Sequence, residues 1–258
     1  MKRLDQFFTN NNVVDKCLST IEPSVYDMVI EPSAGSGSFY HKIEHKNKIA
    51  YDIEPHFSET ICYDFLETEP LVDRGKILVV GNPPFGKNSS LAVKFFNHAS
   101  SFADTVAFIL PRTFRKPSIK NRLGQYFHLV KEEILPDDSF HTPDGKLYDV
   151  PCVWQVWEKQ NNIREKIIVR MEHKDFMFVE RKEADFLIQR VGVDAGNTHK
   201  EMTKPISSHY NIKASDKVYN VFKKIDWTKS SKYDTAGNPS LSKGDIIEMY
   251  ETIKEIFK

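Results

Sequence analysis

The segment KILVVGNPPF, residues 76–85, constrains the fold of this chain more than any other stretch of it. Its apolar residues run continuously from Ile77 to Val80 instead of alternating with polar ones. Continuous apolar residues are typical of a parallel strand that is covered on both faces. Pro83 and Pro84 follow, and because proline cannot donate to a sheet ladder, the strand must end before them. The segment therefore predicts a central parallel strand with Asn82 at its carboxyl end.

Strands and helices alternate on both sides of this segment. The apolar patterns predict strands at residues 28–32, 48–55, 105–111, 132–136 and 150–159, a short unit at 59–67, and helices at 13–20, 90–102 and 116–131. Such alternation is typical of an α/β fold with a doubly wound, mostly parallel sheet. The pattern changes after residue 159. We expect a catalytic domain at 1–159 and a small α+β region at 160–258, with strands at 166–171 and 175–181 and an amphipathic helix at 245–257.

Composition narrows the classes of protein that we expect. The 36 basic and 36 acidic residues cancel, which argues against a strong non-specific nucleic-acid binder but leaves room for a local basic patch. The three cysteines, at wide spacing, predict reduced thiols and no metal site. No signal peptide and no membrane-spanning run is recognisable. We expect a soluble, cytoplasmic protein without a membrane partner, and the sequence does not give its oligomeric state.

A loop of small residues follows the predicted strand at 28–32 and is expected to precede a helix. Its glycines, Gly35 and Gly37, allow positive φ and close approach of the backbone to a ligand. The loop does not complete the dinucleotide pattern GxGxxG, and the chain has no P-loop. An ordinary turn between a strand and a helix would look the same. Asp52 favours a ligand site, because an acidic residue at the end of the next strand can accept hydrogen bonds from two ribose hydroxyls.

The Asn82-Pro83-Pro84-Phe85 tetrapeptide indicates chemistry at an amine. The side-chain carbonyl of Asn82 and the main-chain carbonyl of Pro83 can both accept from one NH₂ group. The lone pair of the adenine N6 amine is delocalised into the ring, and two acceptors would favour a pyramidal, nucleophilic nitrogen. Phe85 would stack on the base, worth about 1–3 kcal/mol. The alternative is a simple turn that ends the strand.

The order and spacing of these motifs resemble the N6-adenine methyltransferases of the class I Rossmann-like fold, which have a seven-stranded sheet and a recognition region after the catalytic domain. The segments that match cover residues 5–157, and Gln6-Phe7-Phe8-Thr9 together with NPPF is the most specific part. The resemblance implies S-adenosyl-L-methionine as cofactor, S-adenosyl-L-homocysteine as product and NPPF as the catalytic signature. The cofactor contacts that it implies are Gln6, Phe7, Phe8, Thr9, Glu31, Pro32, Ser33, Ala34, Gly35, Gly37, Asp52, Ile53, Asp64, Phe65 and Asn82.

Two of these contacts concern the cofactor's adenine. Asp64 would accept from its amine, and Phe65 would lie against its ring. On the substrate side, the resemblance implies a second aromatic residue that packs on the flipped target base. Phe140 and Tyr148 are the candidates, and we lean towards Tyr148. Basic residues beyond the strand at 105–111 could hold phosphates or could belong to a solvated helix face; those we expect at the substrate are Arg112, Arg115 and Lys116.

Several functions share this signature. DNA is the favoured carrier of the adenine, and RNA is the alternative. The NPP motif also occurs in enzymes that methylate a glutamine amide in protein, although those usually have tyrosine after the prolines and lack the Gln-Phe-Phe-Thr start. A catalytically silent subunit would not need to keep Asn82, Gly35 and Asp52 intact. A region of about a hundred residues after the catalytic domain is small for extensive sequence recognition.

Overall fold

The computed structural model describes residues 7–69, 75–142, 144–235 and 237–254. Gln6, the first residue of the expected N-terminal cofactor motif, lies outside the described residues. The chain divides into two compact units, Met1–Lys166 and Ile167–Lys258. Residues 160–166 therefore belong to the first unit. Within the described residues, no helix combines the length and the apolar character that a membrane crossing requires.

The first unit is built on a seven-stranded sheet. Its strands and those of a smaller sheet are β1 (Phe8–Thr9), β2 (Met28–Glu31), β3 (Lys48–Asp52), β4 (Thr60–Cys62), β5 (Ile77–Gly81), β6 (Thr105–Pro111), β7 (Phe127–Ile134), β8 (Phe140–His141), β9 (Leu147–Tyr148) and β10 (Cys152–Lys159). The helices are α1 (Asn11–Leu18), α2 (Ser90–Ala99) and α3 (Pro117–Lys120).

The order of the large sheet is β4-β3-β2-β5-β6-β10-β7. Neighbouring strands from β4 to β6 run parallel, and β10 runs antiparallel to both β6 and β7. This arrangement confirms the predicted Rossmann-like methyltransferase fold. The strand order reverses between β2 and β5, and in open α/β sheets ligands bind outside the carboxyl ends of the strands at such a reversal.

Both faces of the sheet are covered, as the continuous apolar strand predicted. Ile77 and Val79 of β5 pack in the cluster that contains α2. Leu78 and Val80, which point the other way, pack in the cluster that contains α1. Side chains alternate between the faces of a strand, so a strand between two helical layers must be apolar at every position.

Three local predictions were wrong. The expected helix at 116–131 is only the four residues of α3, and β7 begins at Phe127. β7 pairs along its length with β10, and that non-local pairing overrides the helical pattern. The glycine loop leads into a short 3₁₀ helix, Tyr40–Lys42, instead of an α-helix. The expected strand at 166–171 does not form; Ile168 is 89% exposed and no described strand pairs with the segment.

The second unit is a small α+β body. It contains β11 (Phe176–Phe178), β12 (Phe186–Gln189), β13 (Thr198–His199), β14 (His209–Ala214), α4 (Asp216–Phe222) and α5 (Lys243–Lys254). The strands form an antiparallel sheet in the order β11-β14-β12-β13. Its core contains an aromatic group in which Phe176, Phe222 and Tyr250 are in mutual contact. α5 corresponds to the predicted terminal helix, and residues 255–258 lie outside the described residues.

Candidate active site

The glycine loop leaves β2 at the strand reversal. Gly35 and Gly37 have φ of 51° and 79°, in the left-handed region that favours glycine. A Cβ at Gly37 would lie 2.6 Å from His41 Nε2 and 2.8 Å from Phe57 Cε1. The loop therefore requires glycine at this position on two grounds, φ and space. His41 and Phe57, which were not among the expected site residues, wall this part of the loop.

Asp52 ties the loop to the end of β3. Its Oδ2 accepts a hydrogen bond of 2.7 Å from the Gly35 N–H, and its Oδ1 accepts one of 2.9 Å from the Glu54 N–H. The Ala34 N–H donates to the Tyr51 carbonyl, 2.9 Å away. An ionised carboxylate offers about four lone-pair positions, so Asp52 keeps acceptor capacity for a ligand. Ile53, the next residue, is exposed.

Glu31 is a buried carboxyl group at the start of the loop. Burial raises its pKa well above the ordinary range, the Tyr40 N–H opposes the shift, and the negative charge of Asp52 adds to it. Its Oε2 is buried and has no hydrogen-bond partner among the described residues. A buried acceptor without a partner is costly, so Glu31 is suited to a ligand that donates a hydrogen bond or carries positive charge.

The raised pKa of Glu31 predicts a pH-dependent effect on stability. A carboxyl group whose pKa is higher in the folded than in the unfolded state stabilises the fold at acidic pH, and this stabilisation is lost as pH rises through the folded pKa. Glu31→Gln removes this loss. Between the unfolded-state and the folded-state pKa of Glu31, the free energy of unfolding of the variant should rise relative to that of the wild type by at most about 1.4 kcal/mol per pH unit. Urea unfolding of both proteins at pH 5 and pH 8 measures the free energy of unfolding of the variant minus that of the wild type. This quantity should be more positive at pH 8. A stability of the variant relative to the wild type that is equal at the two pH values, or lower at pH 8 than at pH 5, would contradict this interpretation.

Asn82 stands directly after β5, beside the glycine loop. Its Nδ2 donates to Thr9 Oγ1 at 3.2 Å, which orients the side-chain amide. Its main-chain carbonyl accepts from Ser33 Oγ at 3.1 Å. The amide oxygen, Oδ1, is buried and has no hydrogen-bond partner among the described residues. The site therefore holds an oriented, buried acceptor that has no hydrogen-bond donor among the described residues.

Phe85 joins the motif to α2. Its half-buried side chain packs against the apolar clusters on both faces of the sheet. Its carbonyl accepts from the N–H groups of Leu91 and Ala92 at 3.1 and 3.2 Å, so it caps the start of the helix. Between them, Asn88 and Ser89 have φ of 53° and 61°. Two successive non-glycine residues in the left-handed region are strained, and such strain concentrates at functional sites.

The N-terminal motif reaches the site through a small three-stranded sheet, ordered β1-β8-β9. Thr9 of β1 pairs with Phe140 of β8, and Phe140 pairs with Tyr148 of β9. Phe8 lies close to the glycine loop, since a Cβ on Gly35 would be 3.3 Å from Phe8 Cε1. None of these pairings was predicted, and the β1–β8 pairing joins segments more than 130 residues apart.

The two candidates for the second aromatic differ in exposure. Phe140 is 1% exposed and belongs to the core, whereas Tyr148 is 39% exposed. Only Tyr148 presents a ring that a ligand could reach. Phe7 stacks on it, with ring centroids 3.9 Å apart and an interplanar angle of 12°.

Phe65 does not lie where the resemblance implied. Its ring is buried in the core and packs against Phe95 and His98, with centroids 5.5 and 4.9 Å away, so no face remains for a cofactor ring. Asp64 caps the following 3₁₀ helix by accepting from the Leu66 N–H at 2.9 Å. Ile53, the residue after Asp52, is an exposed apolar side chain at the end of β3.

The expected phosphate contacts are partly engaged within the protein. Arg115 Nε donates to Glu132 Oε1 at 3.0 Å, and Lys120 lies 3.7 Å from the other oxygen of Glu132. Arg112 lies 3.7 Å from Asp137 and has a buried Nε without a hydrogen-bond partner among the described residues. Lys116 is half-buried just before α3. Arg112 is therefore better suited than Arg115 to an anionic ligand.

A cavity of about 460 Å³ lies elsewhere in the first unit, and it is lined by the end of α2, the segment before β7, and residues 163–166. Arg164 fills a structural role there, because its guanidinium donates to the carbonyls of Phe127 and Lys120 at 2.9 and 2.8 Å. Among the described residues, no cluster of three His, Cys, Asp or Glu side chains is placed to hold a metal ion. Cys17, Cys62 and Cys152 are free thiols.

No protein-family model matches the sequence, and no curated protein sequence is significantly similar to it. The fold is similar to a putative RNA methyltransferase from Pyrococcus horikoshii, with a TM-score of 0.47 and 18% identity over 60% of this chain and 88% of that one. A modification subunit of a putative type I restriction enzyme from Vibrio vulnificus YJ016 gives 0.46 and 15%, over 61% of this chain and 45% of that one. A dimethyladenosine transferase from Plasmodium falciparum gives 0.41 and 16%, over 60% and 64%.

Proposed function

We propose that this chain transfers a methyl group from S-adenosyl-L-methionine to the N6 amine of an adenine in DNA. One observation carries the proposal: the buried amide oxygen of Asn82 has no partner although Thr9 fixes the orientation of the amide. An unpaired buried acceptor is costly to the fold. A donor that arrives with a ligand removes this cost, and the exocyclic NH₂ of adenine is such a donor.

The residues around the glycine loop suit the proposed cofactor. The Asp52 carboxylate can accept from ribose hydroxyls, and the exposed Ile53 offers an apolar surface to an adenine ring. The unpartnered Oε2 of Glu31 suits the ammonium group of the methionine part. Phe8 lies against the loop at Gly35. When bound, S-adenosyl-L-methionine would supply an electrophilic methyl group and leave as S-adenosyl-L-homocysteine.

The chain's own residues would hold and activate the amine. Asn82 Oδ1 and the Pro83 carbonyl would accept hydrogen bonds from its two N–H groups, which favours a pyramidal nitrogen whose lone pair points out of the ring towards the methyl donor. The bound cofactor would supply the methyl carbon, so that the new nitrogen–carbon bond would replace its carbon–sulfur bond and the sulfur would keep the bonding electrons. The methylated amine then loses a proton to water. Fixed acceptors of this kind stabilise developing charge without reorganising during the reaction.

A base inside a duplex must be flipped out before it can reach Asn82. Phe85 and Tyr148 are the aromatic residues suited to hold it, and the Arg112 guanidinium, whose ion pair with Asp137 is long at 3.7 Å, is suited to a neighbouring phosphate. We propose that the second unit recognises the substrate or supports the first unit. Adenine in RNA carries the same amine, so a labelling experiment is needed to distinguish DNA from RNA as the substrate.

Incubation of the purified chain with tritiated S-adenosyl-L-methionine tests the proposal. The acceptors are duplex DNA, single-stranded DNA, RNA and a protein extract, and each nucleic acid is a pool of random sequence. Label in DNA, recovered as N6-methyldeoxyadenosine after digestion to nucleosides, is the expected result. Label confined to RNA would mean that the substrate is RNA instead of DNA, with the same chemistry at the adenine amine. Label confined to protein would mean that the amine belongs to a glutamine side chain, and the nucleic-acid proposal would be wrong.

A further inference from the structure

Phe7 and Tyr148 form the closest ring stack in the described part of the candidate active site. Their centroids are 3.9 Å apart and their planes differ by 12°, close to the geometry in which a base stacks on an aromatic side chain. Tyr148 is nevertheless 39% exposed. Phe7 covers one face of the Tyr148 ring, so an exposed side chain of this kind leaves room for a ligand ring on the side away from Phe7.

The strand pairings fix where this open ring lies. Thr9, Phe140 and Tyr148 are direct partners across β1, β8 and β9, and residues paired in this way share one face of a sheet. Thr9 is also the residue that orients the Asn82 amide. The register that positions Asn82 therefore positions Tyr148 as well.

Phe7 and Phe85 approach the same part of the molecule. Both are half-buried and pack against the apolar cluster that contains Phe140. Phe7 lies just before β1, whereas Phe85 lies in the turn that follows β5, so the two rings are held by different segments of the chain. Tyr148 sits in the β8–β9 hairpin, whose described connecting residues, Thr142 and 144–146, carry no large apolar side chain and include an exposed Lys146–Asp144 ion pair. Such a hairpin provides little apolar support for an exposed ring, and Phe7 supplies it.

We infer that Phe7 is a substrate-side positioning residue: it backs Tyr148 so that the flipped adenine adds as the next ring on the open face of Tyr148. This rests on the proposed function and departs from the cofactor contact that the sequence resemblance gives to Phe7. Phe7 does not touch the base in this arrangement. It acts by keeping the Tyr148 ring in place, which lowers the cost of ordering the ring when the base binds.

Kinetics of Phe7→Leu on the random single-stranded DNA pool test the inference. Loss of an aromatic pair is expected to raise the KM for DNA about 2- to 12-fold, with the Kd of S-adenosyl-L-methionine, measured by calorimetry, unchanged. Phe7→Tyr keeps a stacking ring and should restore the wild-type KM. In a Tyr148→Ala background, Phe7→Leu should have no further effect, because the ring that it positions is gone.

The outcomes separate this inference from the proposed function. A wild-type chain that labels no nucleic acid would overturn both. If the wild type is active and Phe7→Leu weakens S-adenosyl-L-methionine binding at an unchanged KM for DNA, Phe7 is a cofactor contact and the inference is wrong. A lower KM in Phe7→Leu would mean that Phe7 occupies the place of the base, which also overturns it. Equal effects of Phe7→Leu with and without Tyr148 would exclude an action through that ring.

Discussion

Asn82→Ala is expected to lower methyl transfer by about 100- to 1,000-fold, the usual cost of removing one fixed hydrogen-bonding group that acts on the reacting centre. The Kd of S-adenosyl-L-methionine should remain near that of the wild type, because the Asn82 side chain contacts Thr9 and presents its free oxygen to the substrate amine. Single-turnover transfer with tritiated cofactor measures the first quantity, and calorimetry measures the second.

Asn161→Ala is the matched control for this variant. Asn161 is an exposed asparagine of the first unit that follows β10, at the edge of the sheet opposite to the carboxyl ends of β2, β3 and β5. It should leave both quantities unchanged. If Asn82→Ala loses cofactor binding together with transfer while Asn161→Ala keeps both, Asn82 supports the fold of the cofactor loop, and its assignment as the amine acceptor is wrong.

Asp52→Ala is expected to weaken S-adenosyl-L-methionine binding about 10- to 150-fold. A hydrogen bond to a charged group contributes about 1.5–3 kcal/mol, and each 1.4 kcal/mol changes an equilibrium constant about tenfold. The side chain also accepts from the Gly35 N–H at 2.7 Å, so the loop loses an anchor as well. Calorimetric titration of the cofactor into each variant measures the effect.

Two variants isolate the role of Asp52. Asp52→Asn keeps an acceptor for the Gly35 N–H and removes the charge, so its affinity should fall between those of the wild type and Asp52→Ala. Glu44→Ala removes an exposed carboxylate before β3, at the other end of the strand, and should bind like the wild type. Unchanged binding in Asp52→Ala would show that the cofactor does not reach the end of β3.

The parts of the fold that could be predicted are those specified by local pattern. Thr105–Pro111 forms a strand over the predicted residues. A strand that is covered on both faces needs continuous apolar residues, and this one ends at a proline. The convergence of Gly35, Asp52 and Asn82 was predictable for a related reason. Each lies at or just after the carboxyl end of a parallel strand, and these ends meet at one edge of the sheet.

Contacts between distant segments could not be predicted. The Thr9–Asn82 hydrogen bond joins residues 73 positions apart, and the β1–β8 pairing joins residues still further apart. Phe65 shows the limit of a motif: its place in the sequence suits a cofactor contact, but its ring completes the core around Phe95 and His98. β7 replaced a predicted helix because β10 offered a partner along its length.

Mass spectrometry of nucleosides from cells that express the wild type or Asn82→Ala tests the central claim most directly. DNA and RNA are digested separately, and N6-methyladenine nucleosides are quantified against adenosine and deoxyadenosine. We expect N6-methyldeoxyadenosine in DNA from cells with the wild type and only background levels with Asn82→Ala at equal protein abundance. Equal levels of methylated adenine with the two proteins, in both DNA and RNA, would contradict the assignment of Asn82 and of the adenine amine as its substrate.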